Sequence, residues 1–321
     1  MDHMHSAILA HDVDKRYAGG AINAGLHGFN LSVAPGTVCG LLGPNGAGKT
    51  TAVRILSTLL RMDSGEASVA GCDVRRKAWQ VRERIGLVGQ YAAVDEILSG
   101  RENLEMFGRL NHLPGRVARA RAEELLAQFA LSDAANQSVR TYSGGMRRRL
   151  DLAASLIVSP PVLFVDEPTT GLDPAARREV WAAIRSLVHG GSTVLLTTQY
   201  LEEADALANQ IVLLKAGRVI AEGTPRELKA RLGESWLGIT LPDEQSLAIA
   251  QRILASLPGV QSDPDRLRLS LPAADGARSL VHVAILLDEA GVAPLDIGLR
   301  QPTLDDVFLH LTVDTQEEVA A

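Results

Sequence analysis

The sequence predicts an α/β fold: a largely parallel sheet covered on both faces and organised around a glycine-rich loop. Three observations carry this. The apolar run Thr37-Val38-Cys39-Gly40-Leu41-Leu42 feeds Gly43-Pro44-Asn45-Gly46-Ala47-Gly48-Lys49-Thr50-Thr51, and Ala52, Val53, Leu56, Leu59 and Leu60 follow at helical spacing. Further short apolar runs, at 85–88, 162–165, 193–198 and 211–214, alternate with helix-period segments. The run 162–165 ends in two adjacent carboxylates, Asp166 and Glu167, at the strand end where open α/β sheets bind ligands.

Residues 43–50 are a complete G-x-x-x-x-G-K-[ST] match in strand–loop–helix context, which implies a P-loop NTPase core that binds a nucleoside triphosphate. Glycines at 43, 46 and 48 let the backbone curl so that successive N–H groups converge on oxyanions at the positive end of the new helix. Lys49 reaches the β- and γ-phosphates, and Thr50 places its hydroxyl on Mg²⁺.

The length of 321 residues suggests two domains, and the composition, 46% hydrophobic and 22% charged, is that of a globular protein. A net charge of −6 supplies no global basic field, so nucleic acid is not an expected partner. The two cysteines, Cys39 and Cys72, read as small buried thiols in a reducing compartment. His3, His5 and His11 lie in or near a terminus that lacks the basic start and apolar stretch of a signal peptide. No run approaches the roughly 20 apolar residues that span a bilayer. A role in a membrane process would therefore require docking onto another chain.

In chain order, residues 6–33 are strand-like, with Val13, Tyr17, Leu26, Phe29 and Leu31 among turn residues. Asp63-Ser64-Gly65 reads as a turn before a short extended run at 67–70. Ser99 and Glu102 form a capping box ahead of Leu104, Phe107 and Leu110, and Pro114-Gly115 separates that helix from one carrying Ala122, Leu125, Leu126 and Phe129. Residues 91–150 thus form a helical insertion. Asp173-Pro174 opens a helix with Val180, Trp181, Ile184, Leu187 and Val188 on one face, closed by Gly190-Gly191. After a helix capped at Thr224-Pro225, a boundary at Gly233 separates a domain over 1–232 from a small α+β domain over 233–321. The latter has the β-α-β-β-α-β order of a ferredoxin-like unit, with strands at 236–241, 260–262, 267–271 and 292–299, helices at 245–257 and 277–290, and a last helix at 304–311.

A phosphate loop alone does not separate NTPase classes; the later stretches do. Asp166 would hold Mg²⁺, and Glu167 is the natural acceptor for the proton of an attacking water. Tyr142-Ser143-Gly144-Gly145-Met146 places a hydroxyl and free N–H groups at a helix N-terminus, a second anion cradle. One site cannot readily use two cradles. Two copies arranged head to tail can, each closing on the other's nucleotide.

In order and type, residues 43–51, Gln90, Ser143-Gly144-Gly145, Asp166-Glu167, Gly171-Leu172-Asp173 and 197–204 resemble the ATP-binding cassette (ABC) transporter ATPases over roughly residues 6–232. Met146, Arg147-Arg148-Arg149, the stretch 197–204 and the run 301–309 are similar to the daunorubicin-resistance type of exporter ATPase.

The resemblance implies an ABC nucleotide-binding domain with ATP and Mg²⁺, working as a homodimer beside an integral membrane permease on the cytoplasmic face of the membrane. It implies adenine stacking for Tyr17, which would otherwise be a surface tyrosine. It implies Mg²⁺ and water sensing for Gln90, whose plain alternative is a strand-end glutamine. Asp173 would touch the partner copy, although its N-cap role explains it equally well.

Gln199 departs from the family, where histidine is usual beside the γ-phosphate. A glutamine amide donates hydrogen bonds but carries no charge and shuttles no proton. The reading is an ATP-hydrolysing motor for efflux of drugs or lipids, with Lys49, Glu167 and Gln199 as catalytic groups. Its rivals are a non-transport cassette ATPase and a nucleotide-dependent binding module with weak hydrolysis.

Overall fold

The computed structural model describes residues 6–17, 24–89, 93–230, 236–300 and 303–308. The chain divides into two compact units, Met1–Pro225 and Arg226–Ala321.

The first unit opens with β1 (Ile8–Arg16) and β2 (Gly25–Val33), followed by β3 (Val38–Leu42), α1 (Lys49–Leu56), β4 (Ser64–Val69), β5 (Cys72–Asp73), α2 (Ala78–Glu83) and β6 (Ile85–Val88). Then come α3 (Gly100–Leu110), α4 (Gly115–Gln128), α5 (Gly144–Ser155), β7 (Val162–Asp166), α6 (Pro174–His189), β8 (Thr193–Thr198), α7 (Leu201–Leu207), β9 (Gln210–Lys215) and β10 (Arg218–Gly223). Six strands form one sheet in the order β10-β9-β3-β8-β7-β6. From β9 to β6 every pairing is parallel, and β10 folds back antiparallel on β9. Strand β3, which feeds the phosphate loop, is therefore central and fully buried.

Side chains of the central strands alternate between two cores, as the period of two requires. Val162, Phe164 and Leu195 join α1 and the N-terminal strands, whereas Leu163, Val165, Val194 and Leu196 join α3 to α6. The strand-like residues 6–33 belong to a separate antiparallel sheet, β2-β1-β4-β5. The α3 capping box forms as expected, with Ser99 accepting from the Glu102 amide and the Glu102 carboxylate accepting from the Ser99 amide.

Several local expectations shift. Helix α1 stops at Leu56 because Thr58 adopts φ 65°. Leu59 and Leu60 then lie beyond the helix, and Leu59 is exposed. Strand β4 begins at Ser64 rather than after a turn, since Ser64 pairs with Asp14 of β1. Leu110 does not face the core; it ends α3 in solvent.

The second unit contains β11 (Trp236–Thr240), α9 (Glu244–Leu254), β12 (Gln261–Asp263), β13 (Arg268–Pro272), α10 (Ala277–Glu289) and β14 (Asp296–Arg300); the intervening α8 spans Pro225–Ala230. The antiparallel order β12-β13-β11-β14 is that of a split βαβ unit. Its core joins Leu237, Ile239, Leu269 and Leu271 of the sheet to Leu247, Leu254, Val283 and Leu287 of the helices. The last strand is shorter than expected, starting at Asp296. Residues 304–308 are helical, and Thr303 and Asp306 cap them reciprocally. Among the described residues no helix is long and apolar enough to cross a membrane.

Candidate nucleotide site

The loop between β3 and α1 is shaped by close approach. A Cβ on Gly43 would stand 2.2 Å from the Leu214 carbonyl oxygen. Gly48, at φ 109°, would bring one within 2.7 Å of the Gly25 carbonyl. Only glycine fits the conformation and the contact at position 48.

Lys49, the first residue of α1, is buried, and its ammonium donates to the carbonyls of Gly43 at 2.7 Å and Pro44 at 3.2 Å. Glu167 Oε1 is 4.0 Å from Lys49 Nζ. Burial pulls the lysine pKa down, while Glu167 and Asp166 oppose that shift.

Tyr17, Gly25, Asn45, Gly46, Gly48, Thr50, Thr51 and Glu167 line one open cleft of about 380 Å³ with Lys49 on its wall. Tyr17 is 42% exposed, which leaves ring surface for stacking, and its hydroxyl lies 3.3 Å from Thr51 Oγ1. Asp63 anchors the strand before it, accepting from the Arg16 amide at 2.8 Å and from Lys15 Nζ at 2.7 Å. Nothing in the residues around Asp63 marked this role, because the pairing depends on β1 lying beside β4.

Strand β7 delivers the two carboxylates differently. Asp166 is buried at the end of the strand and accepts the Thr197 hydroxyl. Glu167 leaves at φ 48°, a left-handed conformation rare for a non-glycine residue, and turns toward Lys49. Mg²⁺ bound to a nucleotide takes one or two protein ligands and fills the rest with phosphates and water. The Thr50 hydroxyl and the Asp166 carboxylate are donors of that kind. Gln199 is exposed at the bend after β8. Gln90 lies outside the described residues.

Ser143 caps α5, accepting from the Met146 amide at 3.2 Å, with Gly144 and Gly145 forming the first turn. Gly144 lies against Leu172 and Gly145 against Ala176, so this cradle adjoins the loop that ends at Asp173. Asp173 caps α6 through the Ala175 and Ala176 amides at 2.9 and 3.0 Å, and those donors hold its carboxyl below the usual range. The phosphate cleft is not lined by residues 143–146 or 173. Gly144 lines a second cleft, of about 410 Å³, which shares Glu167 with the first but includes none of residues 43–51.

Sequence reasoning missed the supports beneath these loops. Thr197 donates its hydroxyl to the Asp166 carboxylate and accepts the Glu167 main-chain amide. Glu203 is fully buried and accepts from Trp181 Nε1 at 3.0 Å. Arg148, quoted above only as part of a basic triplet, is buried and hydrogen-bonds backbone carbonyls on three sides. An arginine so near a helix start ordinarily reads as a surface residue.

Residues 26–170 match the ABC transporter family. Over 309 residues the chain is 59% identical to the daunorubicin resistance ATP-binding protein DrrA3 of Streptomyces coeruleorubidus, covering 96% of each chain. The chain belongs to the ABC transporter family. This ABC protein is also 49% identical over 317 residues to the doxorubicin resistance ATP-binding protein DrrA of Mycobacterium tuberculosis, covering 98% of the one and 96% of the other. Among solved structures it resembles a dimeric, post-hydrolysis ATP-binding cassette, MJ0796, bound to ADP and phosphate. That likeness has 26% identity and a TM-score of 0.60, over 68% of this chain and 98% of that one. The ABC protein is thus an ATP-binding subunit and an ATPase, the motor of an export transporter.

Proposed function

We propose that two copies of this ABC ATPase close head to tail on two molecules of Mg²⁺-ATP and drive efflux of drugs or lipids through a separate membrane-spanning permease. The names of the relatives, daunorubicin and doxorubicin resistance proteins, support the substrate class. The placement on the cytoplasmic side of the membrane follows from that partner. Residues 1–232 form the nucleotide-binding domain, with 91–150 as the helical part, and 233–321 are an accessory domain.

The observation that carries the reading is the separation of the two anion cradles. The cleft at residues 45–51 has Lys49 and Glu167 on its wall but not Ser143, Gly144, Gly145 or Met146. Ser143 and Gly144 are exposed at the start of α5, so that helix end can meet an anion from outside the chain.

In the closed pair the roles divide by chemistry. Tyr17 stacks on the base, the loop amides and Lys49 hold the phosphates, and the partner copy supplies its Ser143 end and Asp173 loop. Thr50 and Asp166 would hold Mg²⁺, directly or through water, with Gln90 sensing the ion and the attacking water; the ion would supply charge neutralisation at the phosphates. Glu167 accepts the proton of the attacking water, and the Gln199 amide orients water and phosphate. Release of phosphate and ADP separates the copies.

The test is self-association. With Glu167→Gln to block cleavage, ATP should convert the chain to a dimer on a sizing column, and Ser143→Arg should abolish that shift. A chain that stays monomeric with ATP when cleavage is blocked and the permease is supplied rules the reading out.

A further inference from the structure

We propose that Arg148 and Asp151, a buried ion pair on α5, are positioning residues that tie the Ser143 end of that helix to the backbone on both sides of Gln90 and on both sides of Glu167. Arg148 is 6% exposed and Asp151 is 5% exposed. The Arg148 guanidinium donates through Nη1 to the Gly89 carbonyl at 2.6 Å, through Nη2 to the Asp166 carbonyl at 3.1 Å and through Nε to the Pro168 carbonyl at 3.0 Å. Asp151, one turn further along α5, accepts from Arg148 Nη1 at 3.3 Å through Oδ2 and from the Ala93 amide at 2.9 Å through Oδ1. Gly89 and Ala93 flank residues 90–92, and Asp166 and Pro168 flank Glu167. Four backbone points from two separate segments thus converge on one pair of side chains.

The residue types suit this task. A guanidinium presents five donors in a rigid planar fork, and it does not give up its charge. It therefore satisfies three carbonyls in different directions at once, which a lysine ammonium does with far less geometric control. A buried ion pair is weak ground for stability alone, since an apolar pair of the same volume often does as well. What Arg148 adds is a fixed geometry among a helix and two loops.

Ser143 stands five residues before Arg148 on the same helix. A displacement of that helix end, as when it meets a nucleotide held by another copy, is carried through Arg148 and Asp151 to residues 89, 93, 166 and 168. The pair would thereby make the alignment of Glu167 depend on the seating of Ser143. This inference rests on the roles proposed for Ser143, Gln90 and Glu167.

The test uses the full-length chain and two readouts. In Arg148→Gln, kcat should fall about tenfold or more while KM for ATP stays within about twofold, because substrate binding does not use the pair. Amide hydrogen exchange should rise in peptides covering residues 86–95 and 164–170, with the rest of the chain unchanged. Arg148→Lys keeps the charge opposite Asp151 but not the fork, so it should not restore kcat. Should Arg148→Gln fail to fold, Arg148→Lys carries both readouts.

An unchanged kcat, restoration by lysine, or a fall in kcat without faster exchange at those two segments overturns the proposal. Glu167→Gln separates this from the site reading. If it hydrolyses ATP at the parent rate, the role of Glu167 fails; if it stalls while Arg148→Gln turns over normally, only the positioning role fails.

Discussion

The main-chain carbonyl of Thr197 accepts the Glu167 amide at 3.0 Å, and the hydroxyl of the same threonine donates to the Asp166 carboxylate. One residue of β8 thus anchors the Asp166 side chain and the Glu167 backbone at the end of β7. The bond matters most at Glu167, whose left-handed backbone costs on the order of 1–2 kcal/mol relative to ordinary conformations. Neighbouring strands over-determine that backbone, so the strain persists and aims the carboxylate at Lys49.

Thr197→Val tests this. The change keeps the β-branched shape and the main-chain bond but removes the hydroxyl from a fully buried site. A hydrogen bond to a charged group is worth about 1.5–3 kcal/mol, so kcat should drop roughly ten- to a hundredfold. Steady-state phosphate release beside thermal melting checks it. A large loss of Tm with normal turnover would assign Thr197 a purely structural task.

Glu167→Gln should bind ATP as the parent does and hydrolyse it at least about a hundredfold more slowly, since a primary amide cannot accept the water's proton. The isostere keeps the size that fits between Lys49 and the β7 terminus. Equilibrium binding of a fluorescent ATP analogue and single-turnover hydrolysis are the measurements. Fast cleavage by the variant removes Glu167 from the general-base role.

Much of this site was legible because phosphate chemistry is written locally. Residues 43–50 specify strand end, turn, amides and lysine within one contiguous stretch, and Asp166-Glu167 ends a run too apolar to be anything but a buried strand. The Asp173 cap and the Ser99–Glu102 box were readable for the same reason, since each spans only a few residues. Asp63, Thr197, Glu203 and Arg148 were not legible. The partners of those bonds lie 22 to 59 residues away in the sequence, at positions fixed only by tertiary packing. The end of α1 was missed because Leu59 and Leu60 continue the apolar period, yet Thr58 turns left-handed and breaks the helix.

Glu203 gives a pH prediction. Burial is the main cause raising its carboxyl pKa, opposed by Thr198, Thr169 and Trp181 and by the charge of Arg148. A raised folded-state pKa means that the folded protein holds this proton more tightly than the unfolded chain. Stability is then unaffected below the unfolded value near 4.5 and falls as pH rises from there to the folded value. Glu203→Gln stays neutral and keeps an acceptor for Trp181 Nε1. Its stability relative to the parent should therefore grow as pH rises above about 4.5 and then level off. Urea unfolding at several pH values measures the difference, and a constant offset would exclude a raised pKa.

Gln199 sets the last prediction. Its neighbours are both fixed: Thr198 is fully buried in β8, and the Tyr200 amide donates to Thr198 Oγ1 at 3.0 Å. The Tyr200 ring lies under the Arg177 guanidinium, 4.9 Å from it. The backbone at 199 is thus held from both sides while its side chain is exposed. A side chain projected from so fixed a position needs only to donate a hydrogen bond, and phosphoryl transfer relies chiefly on positioning and electrostatics. Gln199→His should accordingly leave kcat within about threefold, whereas Gln199→Ala should lower it about tenfold. A gain of more than about tenfold in the histidine variant would mean that a charged or proton-exchanging group is required, and that the parent is better described as a slow, nucleotide-dependent binding module.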